Sequence, residues 1–264
     1  MTDTLITTAF DTETGVARLT FNRPEALNAI NVPLAQAFLA AVQEIRGLSG
    51  VRCIVLTGAG RAFMAGGDVS SMAGTSEQAG AAISAILDAV TPAILLLRSM
   101  DAPVIAAVRG VAAGAGLSLA LMADLVIAEE NAKFLVAYNG IGAVPDCGGS
   151  WALAHKVGAG RAAELMLLGR TLSATEARDW GMVNDVAPDS DFDNRLNRMI
   201  EKVAQGPTRA YGAFRQLIDR ANGDQLADHL EAERAAFLEM TRTEDFAEGV
   251  SAFLGKRTAA FRGQ

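Results

Sequence analysis

Two runs constrain this chain more than any others: VRCIVLTG (51–58) and PVIAAVRG (103–110). Each is short, almost wholly apolar and closed by glycine. A strand without polar alternation must be covered on both faces, as parallel strands flanked by helices are. Their surroundings agree. After the first run come the loop AGRAFMAGGDVSSM and a helical pattern, AGAAISAILDAVTPAILLLRSM, in which Pro92 predicts a kink or break. After the second comes a glycine-rich turn into a small-residue helix, VAAGAGLSLALMAD. DLVIAEE, KFLVA and MVNDVA read as further strands. LITTAF and VARLTFN, joined by DTETG, read as a hairpin, followed by a helix over VPLAQAFLAAVQEIRGL. RAAELMLLG is a helix closed by Gly169, and SATEARDWG opens on the cap pair Ser173 and Glu176 and stops at Gly181.

From about residue 190 the strand signals cease. Four amphipathic segments follow: DFDNRLNRMIEKVAQ, TRAYGAFRQLIDRA, DQLADHLEAERAAFLEM and EDFAEGVSAFLGKR. A mixed body with a helical tail predicts an α/β core over 1–190 and a helical region over 191–264. The formal net charge of −7 argues against a basic nucleic-acid footprint. Two cysteines, Cys53 and Cys147, are too few for a disulfide framework and suit a reducing cytoplasm. MTDTLITTAF is read as neither signal nor transit peptide, and the apolar stretches as too short or too interrupted to span a bilayer. His155 and His229 are not grouped with the cysteines, so no metal site is expected.

The loops AFMAGGDVSSM (62–72) and RGVAAGAGLSLA (109–120) each follow a buried strand and border a helix. Small residues let a ligand approach the backbone, and N–H groups at a helix start are unpaired donors. Two such loops could aim two N–H groups at one carbonyl oxygen, the geometry of an oxyanion hole. On spacing alone, tight turns against a sheet remain the preferred reading. GVAAGAG fails as a dinucleotide fingerprint and has no P-loop lysine.

The segments FNRPEALNAI (21–30), LTGAGRAFMAGGD (56–68), APVIAAVRGVAAGAGLSLALMAD (102–124), AKF (132–134), GIGAVPDCGGSWAL (140–153), GRTLSATEARDWGMVNDV (169–186) and EGVSAFLGKRTAAF (248–261) together resemble the crotonase superfamily of enoyl-CoA hydratases and isomerases. The resemblance runs almost end to end. It implies a spiral of strand–strand–helix units with a C-terminal helical trimerisation region, and so a homotrimer or hexamer. It implies an acyl-CoA thioester substrate, with coenzyme A arriving as part of that substrate and no separate cofactor. The oxyanion donors would be the N–H groups of Gly67 and Ala115. Coenzyme A contacts would fall on the segment from Arg23 through Glu25 to Leu27, on Ala65, on Asp68, Val69 and Ser70, and on Phe253 and Lys256. Met72, Leu95 and Tyr138 would line the pocket.

The resemblance specifies the reaction less tightly. Hydratases of this family use two glutamates, and the matching positions here are Ser118 and Tyr138. Neither is an acid–base group near neutral pH. Glu129 and Glu130 match neither position and read as a solvated turn. Asp146, in IGAVPDCGGSW, occupies a place that is acidic in some enoyl-CoA isomerases, in phenylacetate-type epoxide isomerases and in dehalogenases. The expected reaction is therefore conversion of 3-enoyl-CoA to 2-enoyl-CoA with Asp146 as proton shuttle. Hydratase, dehalogenase or thioester hydrolase, and a coenzyme A- or RNA-binding scaffold are the alternatives. By itself Asp146 also reads as the N-cap of a helix starting at Cys147.

Overall fold

The computed structural model describes residues 4–221 and 225–264. Residues 1–3 of the amino-terminal segment, and position 224 at the head of the third C-terminal helical pattern, lie outside them.

The hairpin is strands β1 (Ile6–Asp11) and β2 (Val16–Phe21), paired antiparallel. Helix α1 (Val32–Gly47) starts where Asn31 accepts the Leu34 N–H and Pro33 occupies the first turn. Strand β3 (Cys53–Gly58) then pairs parallel with β2. Helix α2 (Ser76–Ser99) begins with a complete Thr75–Gln78 capping box. It runs through Pro92 without the expected break. Ala89, Val90, Ala93, Ile94 and Leu97 are buried on both sides of the proline, and this packing offsets a penalty of about 3 kcal/mol. Uninterrupted, the 24-residue helix is long and apolar enough to cross a bilayer, contrary to the expectation from sequence; 44% of its apolar window is buried within the molecule.

The remaining strands are shared between two sheets. Strand β4 (Val104–Val108) joins the large sheet and β5 (Val111–Ala113) the small one, before helix α3 (Ala115–Leu121). The next turn repeats this with β6 (Leu125–Glu129) and β7 (Lys133–Leu135). Helices α4 (Gly149–Val157) and α5 (Ala159–Leu168) follow, then β8 (Leu172–Ser173), α6 (Ala174–Asp179) and β9 (Asp185–Ala187). The large sheet has the order β1-β2-β3-β4-β6-β9 and the small one β5-β7-β8. The successive pairs β4–β5 and β6–β7 thus each deposit one strand in each sheet, as in a spiral of strand–strand–helix units. The Ser173–Glu176 capping box and the left-handed Gly169 stand as expected.

Helix α7 (Asp189–Ala204) covers the outer face of the large sheet, where Phe192, Leu196 and Ile200 meet Val55, Ile105 and Ile127. Helices α8 (Thr208–Ala221), α9 (Leu226–Met240) and α10 (Glu244–Leu254) complete the chain. Arg234 of α9 pairs with Asp88 at 2.6 Å and seats α9 on α2.

Candidate active site

The two small-residue loops meet because the sheets draw them together. Met64 donates to the Val111 carbonyl at 3.1 Å, and Ala113 donates back to the Met64 carbonyl at 3.0 Å. On the other flank, Ile30 donates to Gly66 and accepts from Asp68, both at 2.8 Å. In a parallel bridge the residue lying between the two bonded ones turns its own N–H the opposite way. That residue is Gly67, bridged to Ile30. Ala115 is the first residue of α3, where an N–H has no partner within the helix. Neither N–H finds an acceptor among the described residues. Gly116 keeps the helix start close to the first loop: a Cβ there would lie 2.3 Å from the Met64 carbonyl oxygen.

Gly67 and Ala115 line one cavity of about 490 Å3 together with Asp146. A larger hollow of about 870 Å3 lies between the hairpin and α7, and another of about 690 Å3 beside α8. Neither holds Gly67, Ala115 or Asp146. Ala65, Val69, Met72, Tyr138 and Phe253 also line the smaller cavity.

Asp146 is 8% exposed. The Tyr138 hydroxyl donates to its Oδ1 at 2.6 Å. Ser118 Oγ stands 3.2 Å from that hydroxyl and 3.3 Å from the Gly114 carbonyl oxygen. Burial dominates the Asp146 carboxyl and pushes its pKa up to about 6; hydrogen bonds from Tyr138 and Cys147 pull it down, and the charge of Glu233 pushes it up. Burial, reinforced by the Asp146 charge, holds the Tyr138 phenol well above its ordinary pKa. Tyr138 is therefore a donor to Asp146 and not a base.

The structure corrects the capping expectation. Helix α4 begins at Gly149, its N-cap is Gly148 at φ 79°, and no cap side chain bonds to its N-terminus. Glu233 on α9 serves instead: its carboxylate accepts from the Gly148 and Ser150 N–H groups, each at 2.8 Å, and from Ser150 Oγ at 2.5 Å. Asp146 is left facing the cavity. Gly149 lies so close to α3 that a Cβ there would be 2.2 Å from Ser118 Oγ.

Several expected contacts fall outside the cavity wall. Arg23 pairs with Asp68 at 2.7 Å, and Asp68 also accepts from the Ser70 N–H, so these three tie loops together beside the cavity. For Asp68, burial works upward, but its bonds to Ser70 and Arg23 prevail and lower the pKa. Glu25 is exposed, Leu27 holds a left-handed turn at φ 52°, and Lys256 is exposed. Ser118 sits behind Tyr138, and Leu95 packs against the main core without lining the cavity. His155 packs on Trp151, and His229 Nε2 lies 2.8 Å from Ser150 Oγ.

Sequence reasoning missed Phe237 and Glu233, one turn apart on α9. Phe237 lines the cavity and meets Tyr138 edge-on at 6.2 Å. In HLEAERAAFLEM a buried glutamate looks like any charged position on a solvated face. Its spacing of four from Phe237 was the only available signal that both share a face.

Comparison with known proteins gives the same answer as the spiral and its paired loops. The enoyl-CoA hydratase/isomerase family matches residues 11–264, and the chain belongs to that family, making it an enzyme of the crotonase superfamily. Among its relatives is the 1,2-epoxyphenylacetyl-CoA isomerase of Escherichia coli (strain K12), 39% identical over 256 residues, with 96% of this chain and 97% of the relative covered. The 2,3-dehydroadipyl-CoA hydratase of the same strain is 34% identical over 250 residues, covering 94% and 96%. A solved enoyl-CoA hydratase from Mycobacterium avium subsp. paratuberculosis K-10 superposes with a TM-score of 0.87 at 31% identity, covering 98% of each chain.

Proposed function

We propose that this enzyme moves a double bond in an acyl-CoA thioester, converting a 3-enoyl-CoA to the 2-enoyl-CoA. The observation that carries the reading is a single carboxylate, Asp146, on the wall shared with the Gly67 and Ala115 N–H groups, with serine and tyrosine at positions 118 and 138. Asp146 takes the proton from C2. The electron pair delocalises into the thioester, and the two main-chain donors hold the resulting dienolate oxygen. The protonated Asp146 then delivers the same proton to C4 as the double bond settles between C2 and C3. A carboxyl with a pKa near 6 is ionised at neutral pH and still basic enough to hold the proton between the two steps.

The test is direct. Wild-type enzyme is expected to convert 3-enoyl-CoA into the conjugated thioester, followed by ultraviolet absorbance, while Asp146→Asn does not. Full activity in Asp146→Asn would overturn the assignment. Rapid hydration of crotonyl-CoA by the wild type would favour a hydratase.

A homotrimer, alone or paired as a hexamer, belongs to the same reading. Phe214, Leu217 and Ile218 on α8 are exposed, as are Leu167 and Leu168 at the end of α5, and apolar surface of this kind favours association. Light scattering at micromolar concentration is expected to give three or six chain masses, and a monomer would refute it. A cytoplasmic location fits two buried free cysteines.

A further inference from the structure

Asp146 stands on an unusual turn. Cys147 (φ 56°) and Gly148 (φ 79°) are both left-handed, so two consecutive residues after the carboxylate depart from ordinary backbone. A non-glycine residue in that region is strained and persists only where its surroundings fix it. One backbone bond closes the turn from within, from the Gly149 N–H to the Asp146 carbonyl at 2.8 Å. From outside, Tyr138 holds the Asp146 side chain and His229 lies against Ser150 Oγ, but the backbone N–H groups of the turn are held by Glu233, whose carboxylate takes three donors from residues 148 and 150. Glu233 is itself 5% exposed and is not among the residues lining the cavity that holds Asp146, so it acts from behind the wall.

We propose that Glu233 is a positioning residue for the reaction: its carboxylate clamps the 146–150 turn from α9 and so fixes Asp146 against the proton it must move. The inference rests on the reading of Asp146 as proton shuttle. Helix α9 suits the task because the Arg234–Asp88 pair and the contact of Arg234 with Ser84 Oγ anchor it to α2. One turn on, Phe237 braces Tyr138, the hydroxyl donor to Asp146. One face of one helix therefore supports both members of the Asp146–Tyr138 pair from behind.

The groups facing this assembly are few. Tyr138 approaches Asp146 from the turn after β7, with Ser118 of α3 behind it; Cys147 is its chain neighbour. His229 lies 3.7 Å from Glu233 on the same helix, and the Asp88–Arg234 pair flanks it on the α2 side. The Glu233 charge raises the Asp146 pKa. Removing that charge must lower it, so the acid limb of the activity profile moves to lower pH.

The experiment compares Glu233→Gln, nearly equal in size, with wild type on 3-enoyl-CoA. The expected result is a fall in kcat of about 10- to 100-fold, the scale of a misplaced reactive group, with KM within about threefold. The acid limb of kcat/KM should move to lower pH, a shift that lost folding alone would not produce. Wild-type kcat with an unmoved limb overturns the proposal. If Glu233→Gln does not fold, Ser150→Ala removes one donor without uncharging the buried carboxylate. A severalfold drop in kcat at constant KM then supports the clamp, and no change refutes it. Asp146→Asn, assayed alongside, separates the two readings: its full activity sinks the proton-shuttle assignment, whereas an inactive Asp146→Asn beside a fully active Glu233→Gln sinks only the clamp.

Discussion

On one side of the cavity the functional groups are main chain. Gly67 and Ala115 offer N–H groups, held by backbone bonds among Ile30, Gly66, Asp68, Met64, Val111 and Ala113. On the other side they are side chains. Asp146 and Tyr138, backed by Ser118 of α3, are held by hydroxyl and carboxylate contacts and by α9. The first side should tolerate changes of side chain that leave the backbone in place and fail when the backbone is pushed. The second should tolerate nothing that alters its polar atoms, even when the backbone is untouched.

The sharpest break in that contrast is Asp146→Asn, expected to lower kcat by about 10²- to 10⁴-fold, the usual worth of a positioned acid–base group. Its melting temperature should be no lower than wild type, because a buried charge is exchanged for a neutral amide; a large drop in stability would show Asp146 to be structural. Next is Gly116→Val. A Cβ there would strike the Met64 carbonyl, so the two loops must separate, and activity should fall about 100-fold with Asp146 unaltered. If activity survives, the two loops need not touch.

Smaller effects test the coupling on the side-chain face. In the wild type, kcat/KM for isomerisation should rise as pH climbs through about 6, where Asp146 ionises. The Tyr138 hydrogen bond lowers that pKa. In Tyr138→Phe the bond is lost, the pKa rises and the limb moves to higher pH, with a severalfold loss of rate at neutrality. A limb moving the other way would refute the hydrogen bond. The smallest effect expected is Ala115→Gly, within about threefold of wild type in kcat, because the donor is main chain. A large loss there would mean that the methyl group itself matters.

The same contrast explains what the sequence discloses. Main-chain features leave strong traces: a glycine-closed apolar strand, then a run of small residues, marks both β3 with its loop and β4 with α3. Asp146 was visible because it stands alone among small and apolar neighbours. Its partners were harder to see. Glu233 and Phe237 lie about 90 positions away in a helix rich in charge, and their inward face is defined only by what they meet in space, the start of α4 and the Tyr138 ring. Helix α4 was expected from Cys147 but starts at Gly149, because its N-terminus is capped from a distant segment, which leaves no local signal at its true start. Pro92 misled because local propensity yields to burial on both sides of it. Arg23 and Asp68, expected at coenzyme A, pair with each other beside the cavity, a contact no local pattern announces.

The Met64 bridge carries a consequence for traffic. With Met64 bonded to both Val111 and Ala113, and Gly66 and Asp68 bonded to Ile30, the two loops form a single stitched seam. Parting them would break both Met64 bonds, and swinging the first loop away would break the two to Ile30 as well. A bulky thioester is then better admitted from the opposite rim, where Leu168 at the end of α5 and Phe253 on α10 stand largely exposed at the cavity wall. The donors would remain a fixed anvil through the catalytic cycle, while the motions of loading and release fall to the helical side.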